Sequence, residues 1–318
     1  MLWGAGVRAT GSGAGCGDNW PLCNGGWIPR NPQLHTIVEF THRITSGPML
    51  GLLVVGLAVL AFRLFPRRHA VRRFAALAVI FTITEALIGA ALVLLGHVAA
   101  NTSPNRAYTL AVHLVNTLVL LACLALTAWF AAPAGGRTEA AAAQPVSRTL
   151  AACALLAFLT VGVAGAIAAL GDTLFPSGSL AQGIRQDLLP SAHIFLRLRI
   201  WHPVLAVLLG CFLIGFALAI VIHKKPAPAA RRLALSVVFL TLAQAASGAV
   251  NVLLLAPVWM QITHLFVADL LWIALVLTIA ETVALGSRPV IEVGPESLIS
   301  NPAGPAWSLA QTPRKVNR

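Results

Sequence analysis

The chain has 318 residues, of which 58% are hydrophobic and 10% are charged, and its mean hydropathy is +0.83. This composition excludes a soluble globular domain and predicts a bundle of membrane-spanning helices. The net charge of +12 is explained by orientation in the membrane and by anionic lipid headgroups. We therefore expect contact with membrane lipid and no nucleic-acid partner.

Seven apolar stretches are long enough to cross the hydrocarbon as helices, which takes about 20 residues. None of them alternates with period two, as the strands of a membrane barrel do. The fold class predicted is an all-α polytopic membrane protein. Its predicted spans are residues 36–62, 74–96, 109–132, 149–171, 197–222, 233–256 and 259–284.

Basic residues predict the orientation of these spans. The loops at 63–73 and 223–232 and the C-terminal tail are rich in arginine and lysine, and basic loops stay on the cytoplasmic side. The 133–148 segment fits the same side by alternation. We therefore expect a multi-pass protein of a bacterial plasma membrane, with the N-terminal 10–35 loop on the outer face.

Two cysteines of that outer loop, Cys16 and Cys23, flank the turn formers Gly17, Asp18 and Pro21. These residues favour a chain reversal that brings the two thiols together, so we expect a disulfide. A metal site is the alternative, but this pair lacks further ligands close by in the sequence.

Four histidines lie near the beginning of every second span: His42, His113, His202 and His264. Alternate spans run in the same direction, so all four imidazoles are predicted to lie near one membrane face. A single such histidine is best explained as a hydrogen-bonding partner for a neighbouring helix. Four histidines at matched depth instead favour two pairs of axial ligands for two haems.

Glu39 precedes His42 by three positions in the run EFTHRITSG. Residues three apart share a helix face, so the carboxylate is predicted to face whatever His42 holds and to be the candidate catalytic proton acceptor. The alternative is an interfacial acid in the first turn, favoured by the helix dipole, with Arg43 as its basic neighbour.

The sequence is internally duplicated. TITEALIGAALVLL (82–95) resembles TLAQAASGAVNVLL (241–254), and each is followed by a helix bearing one of the histidines. Glu85 has Gln244 as its counterpart in this repeat, and Asp269 follows His264 by five positions; Glu85 and Asp269 are each candidates for an interhelical hydrogen bond.

The duplication predicts two tandem four-helix halves related by a pseudo-two-fold axis. The counterpart of span 149–171 would end in residues 1–9, so we expect the first of eight spans to be absent from this sequence. The predicted organisation is an N-terminal half-bundle (1–132), a cytoplasmic linker (133–148), a C-terminal half-bundle (149–285) and a disordered cytoplasmic tail (286–318).

Several motifs together resemble those of haem A synthases, from residue 1 to about 285: TGSGAGCGDNWPLCNG, VEFTHRITSG, AVHLVN, WHPVLA, ALGDTLFP and ITHLFVADLLW. The resemblance implies oxidation of the ring methyl group of haem O to a formyl group, through successive hydroxylations and loss of water. The product, haem A, serves terminal cytochrome oxidases. Haem O synthase and cytochrome oxidase assembly factors are the implied partners, and a homo-oligomer is left open.

The same resemblance implies roles for individual residues. His202 and His264 match the pair that holds a resident haem B, whereas His42 and His113 match the pair lining the haem O site. Glu39 matches the catalytic acidic residue. In the outer loop, Cys16 and Cys23 match the cysteine pair of the family. The 172–194 loop lacks the second cysteine pair that some members have.

Two other functions fit part of the pattern. A di-haem b-type electron carrier accounts for four histidines, but it leaves Glu39 and the cysteine loop unexplained. Such a carrier also predicts histidine pairs on opposite faces if charge crosses the bilayer. A transporter built on repeats is less favoured, because these repeats are parallel and lack the helices broken at midplane that many transporters use.

Overall fold

The computed structural model describes residues 1–132, 146–223 and 226–283. Most of the predicted linker, the lysines at 224–225 and the predicted disordered tail (286–318) lie outside these described residues. Within them the regular structure is helical, apart from an isolated bridge between Cys23 and Gly26. The helices are α1 (Leu2–Ala9), α2 (Leu34–Ile44), α3 (Leu50–Leu64), α4 (Ala70–Leu94), α5 (Pro104–Ala131), α6 (Arg148–Leu174), α7 (Leu180–Leu188), α8 (Ile194–Arg199), α9 (Trp201–Val221), α10 (Pro228–Leu253) and α11 (Val258–Thr282).

Seven helical segments of the described chain are long and apolar enough to cross a membrane. Their ends fall within five residues of the predicted bounds, and the prediction of an all-α multi-pass membrane protein is confirmed. Large apolar side chains on their outer faces, such as Leu52, Leu60 and Leu64, are exposed in the isolated chain. Such faces are expected to contact lipid.

Local sequence signals explain where several spans begin. Ser147 caps α6, since its side chain accepts a hydrogen bond from the Leu150 amide at 3.1 Å. The His69 side chain caps α4 in the same way. Prolines begin α5 and α10, at Pro104 and Pro228, where the missing amide proton costs nothing.

The first predicted span is not a uniform helix. A π-helical turn over Thr45–Met49 separates α2 from α3 and contains Pro48. Proline cannot donate an amide hydrogen bond, so the regular ladder is interrupted there. The Ser46 hydroxyl donates to the His42 carbonyl oxygen at 2.6 Å and so satisfies an acceptor next to the irregular turn.

The helices of the two sequence repeats share one core. α4 packs on α5 and α10 packs on α11, and α5 also contacts both α6 and α11. At this junction the Trp272 indole N–H donates to the Leu118 carbonyl oxygen at 2.8 Å, and its ring lies 5.0 Å from that of Phe158. One buried cluster draws residues from α3, α4, α5 and α6 and from α9, α10 and α11. The division into half-bundles at 1–132 and 149–285 stays a prediction.

Residues 2–9 form a helix, as expected from the repeat, and a buried arginine anchors it. Arg8 Nη1 donates to the Ala169 carbonyl oxygen at 2.7 Å and to Thr173 Oγ1 at 2.9 Å, both on α6. Its Nη2 donates to Gln261 Oε1 on α11 at 2.9 Å. Desolvation lowers the pKa of the Arg8 guanidinium to about 10, so the group remains charged at neutral pH.

The loop between the fourth and fifth spans has more structure than the sequence indicated. It contains α7, whose first turn is capped by the Ser179 side chain, and leads into the short helix α8. Arg199 joins this region to the bundle, because it forms ion pairs with Asp172 at 2.7 Å and with Asp187. The loop is therefore held by charge against the end of α6.

Candidate functional site

The four histidines occupy closely similar depths in alternate spans. Each is between the seventh and the tenth residue of its spanning segment. At a rise of 1.5 Å per residue, this places each roughly 10–15 Å from the end of the segment. The helices that carry them are α2, α5, α9 and α11.

His202 and His264 face each other across the bundle. Their ring centroids are 6.4 Å apart and their planes are nearly perpendicular, at 87°. With metal–nitrogen bonds of about 2 Å, two imidazoles on one metal ion have centroids roughly 6 Å apart. The separation of this pair therefore fits one iron atom held between the two rings.

His42 and His113 lie on α2 and α5, and each ring faces a glycine of a preceding helix. The Nδ1 atoms of His42, His113 and His202 are buried and have no hydrogen-bond partner among the described residues. Buried polar atoms are nearly always satisfied, so such atoms call for an explanation. One explanation is that each ring is oriented to bind a ligand through its other nitrogen, Nε2.

A glycine of an earlier helix faces each of the four rings. A Cβ atom at three of these glycines would be tighter against the ring than ordinary contact allows, and at the fourth it would just touch. These glycines were not predicted as site residues, although two of them, Gly89 and Gly248, align in the sequence repeat. The distances from the added Cβ to the imidazole Cε1 are 3.2 Å for Gly4 and His42, 4.0 Å for Gly89 and His113, 2.8 Å for Gly165 and His202, and 3.0 Å for Gly248 and His264.

The carboxylate of Glu39 is directed at the outer loop. Glu39 is only 3% exposed, its Oε2 accepts from the Cys16 amide at 2.8 Å, and its Oε1 accepts from Arg43 Nε at 3.0 Å. This burial differs from the exposed first-turn position considered from the sequence. The catalytic role of Glu39 stays a prediction.

The cysteine loop is fastened to the helix that bears His42. The structure joins Cys16 and Cys23 in a disulfide, and both residues are buried. Arg43 Nη1 donates to the carbonyl oxygens of Asn19 at 2.6 Å and Leu22 at 2.9 Å. The ion pair between Arg43 and Glu39 thus fixes this loop beside the N-terminal histidine site.

The interhelical hydrogen bond predicted for Glu85 is present, and its repeat counterpart Gln244 makes a similar contact, whereas Asp269 Oδ1 is buried without a hydrogen-bond partner among the described residues. Glu85 on α4 accepts from Asn116 Nδ2 on α5 at 2.6 Å. Gln244 on α10 has its Nε2 at 3.0 Å from His264 Nε2 on α11. Both side chains therefore lie beside a histidine-bearing helix.

Comparison with known proteins assigns the chain to a family. Residues 1–276 match the family COX15-CtaA, described as cytochrome oxidase assembly protein. The chain belongs to this family. The predicted resemblance to haem A synthases is confirmed by the same match and by relatives of that name.

The relatives match different shares of the chain. Two strains of Thermus thermophilus have proteins named protoheme IX farnesyltransferase that are 46% identical over 319 residues, covering 99% of this chain and 52% of each relative. A protein of Bacillus mycoides named heme A synthase is 39% identical over 126 residues, covering 40% of this chain and 38% of that relative. The chain thus spans about half the length of the Thermus relatives.

Proposed function

We propose that this family member is a haem A synthase, which oxidises the ring methyl group of haem O to the formyl group of haem A. The observation that carries the proposal is the His202–His264 ring separation of 6.4 Å, which fits a resident haem in the C-terminal half. The second pair, His42 and His113, is available for the substrate. Relatives named heme A synthase support this reading.

In the C-terminal half, His202 and His264 would hold the iron of haem B. A haem held by two such strong ligands would supply electron transfer, because it would leave no position open to oxygen. Gly165 and Gly248 keep the two rings in place, since each leaves room for an imidazole where a methyl group would intrude.

In the N-terminal half, His42 and His113 hold haem O as substrate. Glu39 accepts protons released as the methyl group is oxidised, and Arg43 together with the Cys16 amide holds its carboxylate in position. A general base is effective when a fixed geometry keeps it near the proton it receives. The disulfide loop of Cys16 and Cys23 covers this side of the site.

The comparisons also support a supplier for the substrate. The chain corresponds to about half of a Thermus protein named protoheme IX farnesyltransferase. Haem O carries a farnesyl chain, so we propose that a haem O synthase of this kind delivers the substrate. Terminal cytochrome oxidases would receive the product, in agreement with the description of the family as cytochrome oxidase assembly proteins.

For localisation, the proposal is the bacterial plasma membrane, with the Cys16–Cys23 loop and the histidine-bearing ends on the outer face. Its support is the excess of basic residues in the alternate loops, including Arg67, Arg72 and Arg231.

Haem analysis in a host that makes haem O but no haem A tests the proposed function. Cells expressing the chain are expected to accumulate haem A, and the purified protein is expected to carry haem B. The variants His202→Ala and His264→Ala should each lose the low-spin haem B spectrum, because a bis-imidazole iron loses one axial ligand. Purified protein with two copies of haem B and no haem A would instead identify a di-haem electron carrier.

A further inference from the structure

The two halves differ at one position that approaches a histidine in both. Glu85 and Gln244 are equivalent in the repeat, and they lie on α4 and α10, the helices that precede the histidine-bearing helices α5 and α11. Glu85 Oε1 lies 3.4 Å from His113 Nδ1, and Gln244 Nε2 lies 3.0 Å from His264 Nε2. The same repeat position thus presents a carboxyl group in one half and an amide in the other.

The carboxyl group of Glu85 is held from two sides. Its Oε2 accepts from Asn116 Nδ2 at 2.6 Å, and its Oε1 accepts from the Thr117 hydroxyl. Asn116 is itself fixed, because its amide donates to the Phe81 carbonyl oxygen at 2.9 Å and its Oδ1 accepts from the Thr84 hydroxyl at 2.6 Å. These contacts fix the Glu85 carboxyl group beside the histidine-bearing helix α5.

The environment of His264 is neutral at the corresponding contacts. The amide of Gln244 faces one ring nitrogen, and Ser247 Oγ lies 2.9 Å from the other. The repeat counterpart of Ser247 is Ile88, whose side chain offers no hydrogen bond to His113. The two histidines are therefore approached by equivalent helices but by groups of different charge.

We propose that Glu85 is a positioning residue that makes His113 a more strongly electron-donating iron ligand than His264. The inference rests on the proposed function, in which both histidines bind haem iron and His264 Nε2 exchanges its contact with Gln244 for the iron. Glu85 faces Nδ1, which leaves Nε2 of His113 for the iron. The 3.4 Å contact is an ion-pair distance and not a hydrogen bond, and a carboxylate beside the free ring nitrogen of a ligating histidine orients the ring and raises its basicity. The N-terminal pair therefore favours the oxidised iron more than the C-terminal pair does.

A reciprocal exchange tests this assignment. Glu85→Gln gives the N-terminal half the amide of the other half, and Gln244→Glu does the converse. Haem midpoint potentials are measured by spectroelectrochemical titration of the purified, haem-loaded full chain, with electron paramagnetic resonance to follow each low-spin signal. We expect Glu85→Gln to raise the potential at the N-terminal site, and Gln244→Glu to lower that of the resident haem. Each shift should be about tenfold in the redox equilibrium, which is about 59 mV for one electron.

Thr117→Val is the matched control, since it removes one hydrogen bond to Glu85 and keeps the carboxylate. A potential shift smaller than that of Glu85→Gln is expected, because the charge beside His113 is retained. Equal shifts for the two variants, or unchanged potentials in both exchange variants, would overturn the assignment of Glu85.

Haem stoichiometry of the parent protein separates this inference from the proposed function. A parent that binds haem at His202 and His264 but none at His42 and His113 would overturn both. The role of Glu85 alone would be overturned if the parent loads both sites and forms haem A but the two exchange variants have the same haem midpoint potentials as the parent.

Discussion

The backbone at four glycines helps to set the positions of the four histidine rings, since each ring rests against one of these glycines. The tightest of these contacts is at Gly165, where a Cβ atom would lie 2.8 Å from His202 Cε1 and 3.2 Å from its Nδ1. Real side chains do not approach this closely, so the ring would have to move. At Gly89 the corresponding distance to His113 is 4.0 Å, which is ordinary contact.

The first expected outcome concerns this difference. Gly165→Ala should weaken haem binding in the C-terminal half by about 10- to 100-fold, as for other lost orienting contacts at metal ligands. Gly89→Ala adds the same methyl group without a clash and should bind haem as the parent does. The haem-to-protein ratio after purification measures both, and full occupancy in Gly165→Ala would show that the glycine does not set the ring position.

A second expectation separates the two roles of Glu39. Glu39→Gln keeps an acceptor for the Cys16 amide but removes the charge that Arg43 binds. We expect a stability loss of about 1.5–3 kcal/mol, typical of hydrogen bonds to charged groups, together with a large fall in the haem A to haem O ratio.

The matched variant is Arg43→Gln, which breaks the same ion pair and leaves the carboxylate. If Glu39 accepts protons, Arg43→Gln should retain much more haem A formation than Glu39→Gln at equal protein amounts. Equal losses of haem A in both variants would mean that Glu39 acts only by holding the loop.

Individual residues differed in how far the sequence could predict them. The histidines stand out because ionisable groups are rare in apolar spans. The partners of Glu39 could not be read in this way, since the Cys16 amide lies 23 positions away and reaches it only when the outer loop folds back. Spacing from His42 indicated a shared helix face, but it carried no information about this loop.

At the level of helices, α4 and α10 end in the same way. Each is followed by a residue with a left-handed backbone, Gly96 with φ of 64° and Leu255 with φ of 61°. The next amide along the chain closes each turn, from His97 to Leu92 and from Ala256 to Asn251, both at 2.8 Å. This conformation costs an ordinary residue about 1–2 kcal/mol and costs glycine little.

The third expectation concerns the substitutions Leu255→Gly and Gly96→Leu, which give each position the residue of the other. Leu255→Gly should raise the free energy of unfolding by about 0.5–1 kcal/mol, because relief of the left-handed backbone exceeds the entropy cost of glycine. Leu255 is 40% exposed, so little burial is lost. Gly96→Leu should lower stability by about 1–2 kcal/mol. Thermal unfolding in one detergent compares the three proteins, and a lower midpoint for Leu255→Gly would contradict the argument.

The spans themselves were well predicted, because length and apolar content decide whether a helix can cross a membrane. Two features of the fold were not predicted in this way. Pro48 signalled an irregularity, but its form as a π-helical turn depends on packing and on the hydroxyl of Ser46. The α7 helix is short and only partly apolar, so its place depends on the ion pair of Asp187 with Arg199.

For the whole molecule, orientation is the expectation to measure. In intact cells, a membrane-impermeant thiol reagent should label neither Cys16 nor Cys23 before reduction and should label both after reduction by an impermeant phosphine. The reason is that both belong to a disulfide in a loop proposed to face outward. Full labelling without reduction would contradict the disulfide, and labelling only after lysis would place the loop inside.

The hydrogen bonds of Arg8 have a consequence for how the two haem sites fill. α1 carries Gly4 against His42, while Arg8 holds α1 to α6 and α11, which carry Gly165 and His264. If the C-terminal pair fills as proposed, Arg8 connects any resulting movement of α6 and α11 to the wall of the N-terminal pair. We therefore expect cooperative loading. By thermodynamic reciprocity, resident haem and substrate would change each other's affinity by the same factor, whichever of the two binds first.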